Sequence, residues 1–196
     1  MGICLAATSL SDRNIRALLA EPPLVWRVLA PEQDAYYLEA IGRARRPGWL
    51  ARLLGDKRPW PPEVPDLTFE PGERQELDMD KAWDGVNFCL KKLLREASCP
   101  NFFEDGTPIG DVDVGYGPAA CFDSETTARI ARACGEISRD RFLSAYAPAE
   151  MGDVYPSGLW QRNDEDTAYL VDNFLELQAF LRQAAQHQMG VLVYYT

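Results

Sequence analysis

Apolar residues return at helical spacing in several stretches of the chain and at strand spacing in others, a mixture of periods that sketches an α/β fold. The clearest helix precedes the C-terminal segment: Leu170, Phe174, Leu177, Leu181 and Ala184 fall at offsets 0, 4, 7, 11 and 14 behind a start at Asn163-Asp164. A second helix is predicted from about Asp80 to Ala97, with Trp83, Val86, Leu90, Leu93 and Ala97 at offsets 0, 3, 7, 10 and 14. Asp78 and Asp80 stand at its positive end and Lys91, Lys92 and Arg95 toward its negative end, as the helix dipole favours. Ser9-Leu-Ser11-Asp12 offers N-cap chemistry to a helix with Ile15, Leu18 and Leu19 inward, which stops before Pro22-Pro23. A short helix after Pro31 carries Tyr36, Tyr37, Leu38 and Ile41. Asp123-Ser124 caps a helix with Thr127, Ile130, Ala131, Cys134 and Ile137 inward, and Ser138 caps another bearing Phe142, Leu143 and Tyr146.

Strand period appears at Met1 to Thr8, at Val112, Val114 and Tyr116, in a short run from Ala119 to Phe122, and from Val191 to Tyr195 after Gly190. Helices between the strands predict one domain over residues 1–196: a small mixed sheet in a helix-sheet-helix layering, with crossover connections that favour parallel pairs. Between positions 43 and 72 the composition changes. Arg43, Arg45, Arg46, Arg52, Lys57 and Arg58 face a single acid, Asp56, and Trp49, Leu50, Leu53 and Leu54 recur at helical spacing. Residues 46–55 read as a basic amphipathic turn or two, packed on its own domain, and the prolines from Pro59 to Pro71 as an extended surface loop.

Charge narrows the partners. Thirty acidic against twenty basic side chains leave −10, and since the basic stretch sums to +5 the remainder carries −15. That field repels phosphate backbones and anionic lipid, so neither nucleic acid nor membrane is expected as a partner, whereas a basic protein surface is attracted. Met1 to Thr8 has neither the charged start of a secretory leader nor the length of a membrane span, and Ala6 stands where a myristoylation signal requires Ser or Thr. The five cysteines, Cys4, Cys89, Cys99, Cys121 and Cys134, show no metal-type spacing, and Cys89 and Cys134 fall on apolar helix faces, as in a reducing cytoplasm.

The sequence offers little catalytic machinery. Its single histidine, His187, lies in the run-out of the last helix, which removes histidine metal clusters and Ser-His-Asp or Cys-His sets. Gly115-Tyr-Gly117-Pro118 lacks the rest of a dinucleotide or phosphate-loop fingerprint. Asp111 and Asp113 would share one face of a regular strand about 6.5 Å apart, suited to proton work or a hard cation, or to the wet face of an edge strand. Trp49, Trp60 and Trp160 fall in predicted loop or boundary segments, where large amphipathic rings serve as interface anchors or pin loops.

Leu77-Asp-Met-Asp80-Lys81-Ala82-Trp83 running into Asn87-Phe88, then Gly115-Tyr-Gly117-Pro118, then Val154-Tyr155-Pro156, resemble the YfbM-like family in order and spacing. The resemblance implies a single layered α/β domain and no reaction. Asn87 departs from the family pattern, in which a His commonly precedes that Phe. Two functions stand against each other. The first is a non-enzymatic bacterial binding protein, cytoplasmic and cofactor-free, whose acidic surface takes a protein partner such as a basic toxin or effector that it neutralises as an immunity protein or inhibitor, with Trp160 and Trp83 as aromatic contacts. The second is a small enzyme for a metabolite or nucleotide-like ligand, with Asp80, Asp111, Asp113, Tyr116 and Tyr155 gathered at the ends of strands.

Overall fold

Alternation along the strands sorts the core into two layers, one on each face of a single sheet. The computed structural model describes residues 2–45, 59–60, 62–95, 98–161 and 164–196. Strands β1 (Leu5–Leu10), β2 (Glu76–Asp78), β3 (Thr107–Asp113), β4 (Pro118–Phe122) and β5 (Gly190–Tyr195) lie in the order β2-β1-β5-β4-β3. On β1 and β5, Leu5, Ala7, Val191 and Val193 enter one core cluster, and Leu10 and Leu192 enter the other. The helices divide accordingly. Helices α1 (Asp12–Ala20), α2 (Val25–Leu29) and α3 (Asp34–Ala40) supply Ile15, Leu18, Val25, Val28 and Tyr37 to the second cluster. Helices α4 (Trp83–Leu93), α5 (Ser124–Gly135), α6 (Arg139–Ala145) and α7 (Asp164–Gln186) build the first.

The two helices with the strongest patterns meet in that first cluster. Val86, Leu90, Phe174, Leu177 and Leu181 are buried together, with Trp83 and Leu93 partly buried against them. Phe174 stacks on Phe142 of α6 with ring centroids 3.9 Å apart. The expected caps form: Ser11 accepts from the Asn14 amide, Asp123 from Thr126 and Ser138 from Arg141. Cys89 and Cys134 are buried, and burial pushes both thiols up to about 12, so they behave as small apolar groups.

Several expectations change. The four strand pairings are antiparallel, not parallel. A parallel neighbour requires a single crossover back to the starting end. Strands β3 and β4 are joined by the short turn over residues 114–117, which returns the chain beside itself in the opposite direction, and β5 lies between β1 and β4, antiparallel to both. Asp78 and Asp80 do not cap α4, whose N-cap position is Ala82 with no side-chain cap, because β2 and a turn occupy that stretch. Leu19 is 41% exposed, lying outside the stripe set by Ile15 and Leu18. Strand β3 begins at Thr107 and ends at Asp113, so Val114 and Tyr116 fall in the turn beyond it. The amphipathic reading of residues 46–55 and the position of Trp49 lie outside the described residues.

The proline-rich stretch runs without helix or strand through residues 62–70, and Val64, Leu67 and Phe69 pack on the second cluster. A buried carboxylate fastens its end. Glu73 accepts from the Ser11 amide at 2.6 Å and the Asn14 side-chain amide at 2.7 Å, and from the Glu70 amide. Burial alone would raise its pKa, but these donors outweigh burial and hold it below the ordinary carboxylate value. Glu73→Gln turns an amide NH2 toward a donor and should cost about 2–3 kcal/mol at neutral pH in urea denaturation. Because the folded pKa is depressed, Glu73's contribution is full above the unfolded value and fades as pH falls through the folded one. The wild-type advantage over Glu73→Gln should therefore shrink on acidification.

Candidate functional site

Where β1 begins and β5 ends, short polar contacts tie together segments far apart in sequence. The Ile3 amide donates to the Tyr155 hydroxyl at 2.7 Å, and the Trp83 indole donates to the Ile3 carbonyl at 3.0 Å. Trp83 stacks on Tyr155 at 5.9 Å and meets Tyr195 edge-on at 5.0 Å. The Tyr155 amide donates to Asp84 in the first turn of α4 at 2.8 Å. Asp84 thus clamps the loop after Met151 onto the helix carrying Trp83.

Asp80 sits at the edge of this cluster with φ 43°, in the left-handed region that Asp tolerates better than most residues. Tyr169 of α7 donates to Asp80 Oδ2 at 2.9 Å and the Cys4 thiol to Oδ1 at 3.3 Å. The Tyr169 hydrogen bond lowers the Asp80 pKa against the opposing pull of burial, with the Cys4 thiol adding to it. Burial, followed by its bond to Asp80, pushes Tyr169 up to about 12. An ionised Asp80 beside a firmly protonated Tyr169 makes a fixed charge and a fixed donor. Neither is tuned to exchange a proton near neutrality. The two border an open groove of about 580 Å³ shared with Lys81, Pro156, Gly158 and Leu159.

The structure brings Asp80, Trp83 and Tyr155 together and leaves Asp111 and Asp113 on β3, while the Tyr116 amide donates to the Tyr195 carbonyl at 3.1 Å, at the end of β5. The carboxyl ends of β2 and β3 lie at opposite margins of the sheet, four strand spacings of about 4.8 Å apart. Asp113 closes the hairpin tip, accepting from the Gly115 and Gly117 amides at 2.9 and 3.1 Å, and those amides lower its pKa. Gly115 belongs there because a Cβ would stand 2.5 Å from the Tyr195 carbonyl at φ 153°. A shift of register between Pro108 and Asp113 breaks the regular alternation on which the Asp111–Asp113 pairing rested. Tyr116 is 51% exposed and Asp111 is exposed beside Trp26 and Tyr36.

Trp160 is no surface anchor: only 4% exposed, it lies in the first core cluster. Its indole donates to the Tyr155 carbonyl at 3.2 Å, and its ring packs so closely on α4 that a Cβ at Gly85 would meet it at 2.5 Å. Among the described residues no group of three or more His, Cys, Asp or Glu is placed to hold a metal, and no helix is long and apolar enough to cross a membrane.

Sequence reasoning passed over a second feature, an acidic margin along β2. Helix α7 runs beside residues 72–80, with Tyr169 on Asp80 at one end and His187 against Gly72 at the other. On the opposite flank of α7, Gln178 donates to carbonyls of Cys134 and Ile137. Helical spacing therefore puts Glu165, Asp172 and Glu176, at −4, +3 and +7 from Tyr169, on the β2 flank. With exposed Glu76, Asp78 and Asp80 they line the margin, and none of the six forms an ion pair among the described residues. The i, i+4 acidic pair Asp172–Glu176 was the available signal, and Tyr169's partner was not visible in the pattern.

The fold defines a single-domain α/β protein with an antiparallel five-stranded sheet covered on both faces. The chain belongs to the family described as "Domain of unknown function (DUF1877)", whose profile matches residues 1–194. Among solved structures it is similar to the protein of unknown function YfbM from Escherichia coli, with a TM-score of 0.57 at 11% sequence identity over 98% of this chain and 99% of that one. That likeness bears out the resemblance seen in the motifs and concerns the fold alone. No curated protein matches.

Trp160→Ala should cost about 3–5 kcal/mol, the range for emptying a buried aromatic site. Urea denaturation measures it, and a loss under 1 kcal/mol would place the ring at the surface instead.

Proposed function

We propose that this chain is a non-enzymatic protein-binding domain whose acidic β2–α7 margin engages a basic partner, as an immunity protein or inhibitor engages a basic toxin or effector. The observation that carries the reading is the row of six carboxylates, none of which forms an ion pair among the described residues. Unpaired like charges along one margin attract an oppositely charged surface over the screening length, about 8 Å at physiological ionic strength. The chemistry around Asp80 supports the same reading. Its carboxylate is held ionised by Tyr169 and Cys4, and Asp111 and Asp113 lie on β3, at the opposite margin of the sheet from β2. The open groove beside Asp80 suits the rim of a protein contact better than a cavity that must exclude water.

Photocrosslinkers at Asp78 and Glu176, used in the native host, should trap one basic protein. With that protein purified, the association rate should fall steeply as salt rises. Lysine at Glu76, Asp78, Asp172 and Glu176 together should slow association at least tenfold. Reversing Glu125, Glu136 and Asp140, on α5 and α6, should leave it within about twofold. Equal effects of the two sets, or association indifferent to salt, would remove the margin from the interface.

A further inference from the structure

A second site lies on the far side of the first core cluster, between the end of α4 and the middle of α5. Here a cavity of about 200 Å³ opens to solvent. Its floor is apolar: Leu90, Phe102, Phe103, Ile130 and Cys134 are each at most 7% exposed, and Leu94 is partly buried beside them. Phe102 and Phe103 pack edge to plane at 5.3 Å, and the Phe103 amide is fastened to the Asn101 side chain at 2.8 Å. Asn101 in turn donates to Asn87 at 2.9 Å, so that wall is held from behind. An apolar cavity of about 150 Å³ is large enough for benzene. The volume here admits one ring or a branched chain of similar size together with a small substituent.

The mouth selects that substituent. Lys91, Arg95 and Cys99 line it, and Arg129 donates to the Ser98 carbonyl close by at 2.8 Å. Lys91 is neutralised by its ion pair with Glu104, and Asp105 opposes Arg129 in the field felt at Cys99. Arg95 remains, exposed and without an ion pair among the described residues. A planar guanidinium at the mouth of a ring-sized apolar cavity matches a carboxylate carried on a compact hydrocarbon body.

We infer that this cavity binds a small carboxylate with an aromatic or branched apolar body, the body among Leu90, Phe102, Phe103 and Ile130 and the carboxylate on Arg95. The site stands apart from the acidic margin and does not depend on the protein partner proposed above.

The test is a methyl-NMR titration of the full chain with three probes of one shape: benzoate, benzamide and benzylammonium. Benzoate should shift the Leu90, Leu94 and Ile130 methyls saturably, benzamide more weakly and benzylammonium not at all. Arg95→Gln, at an exposed position that leaves the fold intact, should weaken benzoate about fivefold or more and leave benzamide unchanged. Absence of saturable shifts at these methyls with benzoate overturns the site. Equal affinity for the three probes, or benzoate affinity unchanged by Arg95→Gln, overturns the carboxylate assignment.

Discussion

The burial of one face of α7 is the interaction on which the rest of the molecule depends. Leu170, Phe174, Leu177, Leu181 and Ala184 are fully buried, and the helix that carries them packs on the sheet and on α4, α5 and α6. Burying one such leucine or phenylalanine is worth about 1.5–3 kcal/mol, so this stripe outweighs any of the polar contacts around it. Once the stripe is fixed inward, the rotation of the helix is fixed as well. Gln178 must then face α5, and Tyr169 must face Asp80. The polar contacts at both flanks are consequences of that apolar choice.

The same rotation decides which carboxylates have structural work. Glu73, Asp84 and Asp113 each accept backbone amides, and Asp123 caps α5. Their charges satisfy donors that would otherwise be left unpaired at loops and helix starts. Asp78 likewise accepts the Asp80 amide at 2.8 Å, whereas Glu76, Asp172 and Glu176 form no ion pair among the described residues. Net acidity is therefore two populations, one spent within the fold and one facing outward along β2.

What could be read in the sequence follows the range of the interaction concerned. Helices α4, α5, α6 and α7 were legible because their apolar faces recur within a few residues, and the caps at Ser11, Asp123 and Ser138 because each acts on an amide three residues away. Trp160 was misread because its burial depends on Gly85, 75 positions earlier, whose missing side chain makes room for the ring. The pairing direction of the strands was misread because it depends on the end of the sheet from which each strand enters, which the alternation within a strand does not encode. Asp111 and Asp113 looked like a pair because a regular strand was assumed where the hairpin carries a register shift. Of the Asp80 cluster, Asp80, Trp83 and Tyr155 stood in motifs of the sequence, and Tyr169 did not. Tyr169 and Cys4 complete the Asp80 cluster across 89 and 76 positions of chain.

The outward acidic margin is not required by this fold. Asp172 and Glu176 form a like-charged pair one helical turn apart, an arrangement that weakens an isolated helix by a few tenths of a kcal/mol, and Arg182 is the first basic residue α7 offers. The acids at Asp164, Glu165 and Asp166 differ, because they face the positive end of the helix dipole and support it. Mid-helix carboxylates gain nothing from the dipole and repel one another, and Glu76 and Asp78 add charge of the same sign on the neighbouring strand. The apolar face supports α7 with or without them. A cation brought against that surface would turn the repulsion into attraction.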